Sequence, residues 1–147
     1  MSEALEGEPV RELPERAVKK QAWDDNLLRF SWVLWPRGLW LLWFVVFGST
    51  ALDYISTVYA LKFSPYQLFE ANSLARFALH LGGFGGLAVW NVLKIGIYVG
   101  LASAIRAVSA REKRPGLGRF TSILLLFYYS LFSLAATVNN LLLSVPR

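Results

Sequence analysis

The chain has no cysteine and a single histidine, His80. Disulfides, thiolate metal sites and cysteine nucleophiles are thereby excluded, and nothing in the sequence reports a redox compartment. One histidine cannot build a multi-histidine metal site or a bis-histidine haem within one copy, so neither a metal nor a cofactor is expected. No Ser–His, Cys–His or paired-histidine motif is present, which disfavours an enzyme and leaves no catalytic residue to assign. The run GGFGG at residues 82–86 lacks the preceding strand and the Lys-Ser or Lys-Thr ending of a phosphate loop and reads as a turn. Charge is scarce too: 17% of the 147 residues are charged and 55% are hydrophobic. That balance is too apolar for an ordinary soluble domain.

What the chain does have is apolar sequence gathered into blocks of membrane-spanning length. The pattern predicts an all-α integral membrane protein with three transmembrane helices, at about residues 38–61, 84–106 and 120–143. Between the first two, Ser64-Pro65-Tyr66-Gln67 carries a serine cap, a proline at the first helical position and a glutamine three residues on, so a helix should start there. This segment, about 65–81, carries Glu70, Asn72, Arg76 and His80, too polar for a lipid-facing span. Leu74, Phe77, Ala78 and Leu81 share one face, which makes it an amphipathic helix on or dipping into the membrane surface, ended by Gly82-Gly83.

Upstream, residues 1–22 are polar and read as a flexible tail with one helical turn near 15–22. Their acidic start, with no apolar stretch directly after it, is not that of a signal peptide. At about 23–35, Trp23, Leu27, Phe30 and Leu34 lie at helical spacing, with Trp32 and Trp35 as interface anchors and Pro36 as a stop. An interfacial helix and an irregular Trp-rich lead-in both fit. The chain thus divides into a tail and interfacial segment, 1–37, and a membrane domain, 38–147.

Net charge is +5, and the basic residues flank the spans. Headgroups and topology explain them more simply than nucleic acid does, so the lipid bilayer is the expected partner. Three spans put Arg29 and Arg37 on the same side as Arg106, Arg111, Lys113, Arg114 and Arg119, in a basic loop at about 106–119. The opposite side holds only Lys62, Arg76 and Arg147. The positive-inside rule then places the N-terminus in the cytoplasm and the C-terminus outside. A fourth span at 65–82 would destroy that asymmetry.

Asp53 stands in the first span, about 13 Å from its outer end at about 1.5 Å per residue, and Lys94 stands at a similar depth in the second. Either charge facing lipid alone would cost at least about 2.5–3.5 kcal/mol. Pairing in the bundle interior is the cheapest arrangement. Thr50, Asp53, Thr57 and Ala60 share a face of the first span; Asn91, Lys94 and Tyr98 share one on the second. Ser130, Ser133, Thr137, Asn140 and Ser144 form a stripe on the third. Turned inward, these place Asp53, Thr57, Lys94 and Asn140 in one polar cluster, with Glu70 and Asn72 above its outer mouth. Such a cluster is a candidate site for an ion, a proton or a polar lipid group. Helix–helix glue is the competing explanation, because Ser, Thr and Asn commonly serve that purpose in membranes. Gly96, Gly100 and Ala104 form a small-residue series roughly opposite Lys94, suited to close helix packing within the chain or against a second copy.

Leu52-Asp53 with Ser56-Thr57, then Glu70-x-Asn72, then Lys94 resemble the small prokaryotic membrane family known as domain of unknown function 5658, over about residues 45–143. Ser73 stands where that family usually has proline, which implies a softer break after Asn72. The resemblance implies a prokaryotic inner-membrane location and supports the polar positions, but it supplies no activity. Two functions compete. The chain is either a multi-pass protein whose polar cluster binds something, or an accessory or scaffold subunit whose polar faces only hold the bundle.

Overall fold

The computed structural model describes residues 15–63 and 72–144. These form four helices and no strand: α1 (Glu15–Leu34), α2 (Leu39–Phe63), α3 (Ser73–Arg111) and α4 (Pro115–Leu143). The last three are each long and apolar enough to cross a membrane. α4 is the central helix, packed along both α2 and α3 and touched near its start by α1. The core it shares with them is Leu42, Val46, Ile95, Ile123, Leu126 and Tyr129. Most large apolar side chains outside this core, such as Phe44, Ile55, Val92, Ile97 and Phe132, are exposed. That is the surface expected of spans whose solvent is lipid.

Three boundaries differ from the sequence reading. The interfacial helix begins at Glu15 rather than near 23. Trp23, Phe30 and Leu34 are exposed, whereas Asp24 and Ser31 are buried. Lipid accepts the aromatic stripe as readily as a protein core would, so polar needs decide which face turns inward. The basic loop shrinks to three residues, Glu112–Arg114, because α3 runs on to Arg111 and α4 starts at Pro115. The Ala- and Arg-rich sequence after the second span favours helix, and Pro115 takes the first helical position, where its missing N–H is no loss.

The third difference concerns the amphipathic segment. The expected start at Ser64-Pro65 lies outside the described residues. The described part begins at Ser73, capped by Asn72, whose Oδ1 accepts from the amides of Leu74 at 3.0 Å and Ala75 at 3.3 Å. Ser73 therefore occupies the first helical position, the one proline fills most readily. The helix breaks at Gly82-Gly83 as expected, then continues into the second span. Gly83 has φ 57° and ψ −146°, a conformation essentially restricted to glycine. The turn is tight: a Cβ on Gly86 would overlap the carbonyl oxygen of Ala78. The Tyr54 hydroxyl, donating to the Phe84 carbonyl at 3.2 Å, ties α2 to this corner. Gly83→Ala should lower stability by about 1–3 kcal/mol, read as a drop in the thermal midpoint of the detergent-purified protein. An unchanged midpoint would mean that the corner is not held in this geometry.

Candidate functional site

Crossing α4, α2 and α3 bring their polar faces together at mid-span. Asp53 lies about 15 Å from the end of α2 at Phe63, and Lys94 lies about 15 Å from the corner at Phe84, each ten residues in. Lys94 Nζ is 3.7 Å from Asp53 Oδ2, with the side chains 21% and 14% exposed respectively. The expected pairing is therefore present. The separation exceeds the roughly 2.7–2.9 Å of a close charge-assisted hydrogen bond, so the pair is an open one.

Around it, hydroxyls and amides join the helices. Thr50 Oγ1 and Tyr129 Oη lie 3.0 Å apart, and the Tyr129 and Tyr98 rings stack with centroids 4.2 Å apart. Nearer the far end, Asn140 Nδ2 donates to Thr57 Oγ1 at 2.8 Å and to Ser56 Oγ at 3.2 Å. The α4 stripe faces inward as read, but much of it bonds its own helix: Ser130 to the Leu126 carbonyl and Thr137 to the Ser133 carbonyl. At the opposite end, Ser122 donates to the Ala102 carbonyl at 3.0 Å, joining α4 to α3.

These groups form the floor of a groove of about 1010 Å³ between α3 and α4, backed by α2. Asp53, Thr57, Asn72, Asn91, Lys94 and Asn140 all line it, and Ile97, Leu101, Tyr128 and Phe132 form apolar walls. Two polar atoms at its edge have no hydrogen-bond partner among the described residues: Trp90 Nε1 and Asn91 Oδ1. Asn91 is 6% exposed, and its Nδ2 donates to the Leu87 carbonyl at 3.1 Å. A buried amide oxygen left unpaired costs about 1–3 kcal/mol. The floor thus offers one positive and one negative charge, with an unpaired buried donor and acceptor beside it.

Of the sequence-read positions, Asp53, Thr57, Lys94, Asn140 and Asn72 are brought together, although Asn72 also serves as the cap of α3. Glu70 lies outside the described residues. Gly96, Gly100 and Ala104 are exposed, and at the two glycines nothing stands within 4 Å of where a Cβ would be. They therefore pack against none of the described helices. No group of three or more His, Cys, Asp or Glu that could hold a metal exists among the described residues.

Sequence reasoning missed Tyr129 and Trp90. Tyr129 could have been found by extending the α4 stripe one step back, since Tyr129, Ser133, Thr137 and Asn140 follow helical spacing. Trp90 resembles an ordinary lipid-facing aromatic, and nothing local marks it. No protein-family model, curated protein or solved structure matches the chain.

Proposed function

We propose that this membrane protein holds the polar group of a lipid against the Asp53–Lys94 pair, with the hydrocarbon chain lying along the α3–α4 groove. The observation that carries this reading is the groove itself. From Tyr128 to Leu143 it follows α4 for about 22 Å, with apolar walls and a polar floor at mid-span. That is far larger than a bare ion or proton needs, and the ammonium of Lys94 beside Asp53 opposes a cation. A ligand group that both donates and accepts, such as a hydroxyl or amide, suits a floor that presents both charges, the carboxylate accepting and the ammonium donating. The basic residues at the α1 and α3–α4 turn end support an N-terminus in the cytoplasm and a C-terminus outside, in a prokaryotic plasma membrane. The resemblance to the uncharacterised family agrees with the polar positions and names no ligand.

A test is to fill the groove without touching the charges. Ala136 lines it and is half-buried. Ala136→Phe is expected to abolish lipid that co-purifies with the protein in mild detergent, measured by native mass spectrometry, with the thermal midpoint nearly unchanged. Wild-type protein that carries no lipid, or a variant that retains it fully, would sink the proposal. The bridge from Asn140 to Ser56 and Thr57 favours the competing scaffold reading, in which the cluster only fixes the bundle. That reading expects Asp53→Asn to be tolerated and no lipid to be retained.

A further inference from the structure

At the other end of the bundle a second cleft, of about 390 Å³, opens between α1, α3 and α4. We infer that it binds the phosphate of an anionic phospholipid between Arg106 and Arg119. Both arginines line it, with Leu28, Trp32 and Pro115, and none of its lining residues is acidic. The two like charges repel each other, and neither has an ion-pair partner among the described residues. Asp24, buried on α1, is engaged elsewhere: both its oxygens accept backbone amides of α4.

Arg119 is held for its task. Its Nη2 donates to the Trp35 carbonyl at 2.8 Å and to the Arg37 carbonyl at 3.1 Å, and the guanidinium lies over the Trp32 ring, 3.6 Å from its centroid. Its Nε has no hydrogen-bond partner among the described residues. Arg106 is exposed and makes no side-chain hydrogen bond or ion pair among the described residues. One guanidinium is therefore fixed and the other is free to close on an anion. Guanidinium forks match phosphate oxygens in geometry as well as in charge. Basic pockets between spans on the cytoplasmic side take anionic headgroups for the same reason. The site is at the opposite end from the α3–α4 groove, so it does not depend on that reading.

The experiment uses the full chain in neutral detergent, titrated with phosphatidylglycerol, phosphatidylcholine or inorganic phosphate and followed by native mass spectrometry and thermal midpoint. Wild type should bind phosphatidylglycerol in preference to phosphatidylcholine. Arg106→Gln should weaken phosphatidylglycerol about tenfold, the effect expected of losing a charge-assisted hydrogen bond to the phosphate. Arg111→Gln, on the same helix but outside the cleft, should not. Arg106→Lys should retain part of the affinity, which separates loss of charge from loss of fold. Equal weakening by Arg111→Gln would mean a diffuse basic surface and would overturn the proposal. So would equal affinity for the two lipids, or inorganic phosphate displacing phosphatidylglycerol at equal concentration, which would assign the cleft to free phosphate.

Discussion

Replacing Gly116 by alanine should detach α1 from α4. A Cβ there would overlap the Asp24 carbonyl oxygen and would lie 2.8 Å from the Leu28 amide nitrogen. Both are backbone atoms, so no rotamer change relieves the clash; the helices must separate. Overpacking of this kind costs about 1–3 kcal/mol, occasionally more. Separation also removes the cap on α4. Asp24, 4% exposed, accepts from the Gly116 amide at 3.0 Å and the Leu117 amide at 2.8 Å, where its charge also favours the helix N-terminus. Losing a cap costs about 0.5–2 kcal/mol. The total is expected to approach about 3 kcal/mol or more. The readouts are a fall in thermal midpoint and rapid tryptic cleavage at Lys19, Lys20 and Arg29. Asp24→Ala should show the smaller effect, and the double variant should fall short of the sum because both act on one contact. If Gly116→Ala keeps wild-type stability and protease resistance, α1 does not dock as described.

Lys94→Met should be the most damaging change within the spans. It removes the positive charge that Lys94 presents to Asp53, 14% exposed, across the α2–α3 contact. Breaking a buried pair from one side costs about 3–5 kcal/mol, because the remaining charge is uncompensated. The lower end applies here, since both groups retain some exposure and Asp53 has a further contact. Asp53→Asn/Lys94→Met should recover much of the loss, because replacing both partners removes the uncompensated charge. The thermal midpoint of the detergent-purified variants decides it, with the reversed pair Asp53→Lys/Lys94→Asp as a check on orientation. Neutral single variants would show that the pair is not held for stability, and the lipid-binding reading would then have to explain both charges alone.

Much of the architecture was legible because membrane physics acts locally. A span needs a continuous apolar run, and those runs mark α2, α4 and the second part of α3 without knowledge of any partner. The break at Gly82-Gly83 was legible because few other residues accept a positive φ. The Asp53–Lys94 pair was legible because two charges at one depth have few cheaper alternatives than each other. The face of α1 was not legible. Its apolar stripe predicts burial in water, but in lipid that signal loses its direction, and an unpaired helix N-terminus 92 residues away decided the matter.

The sequence by itself thus determined the number of spans, their ends to within about five residues, and the polar pairing at mid-span, since each follows from the cost of placing a residue in hydrocarbon. Only the tertiary structure decided that α4 lies at the centre, that Asp24 caps it, that the polar faces leave a long groove between α3 and α4, and that Arg106 and Arg119 share a cleft. These depend on which helices cross and how closely, and small residues such as Gly116 and Gly118 set that by permitting close approach to neighbours far away in the chain.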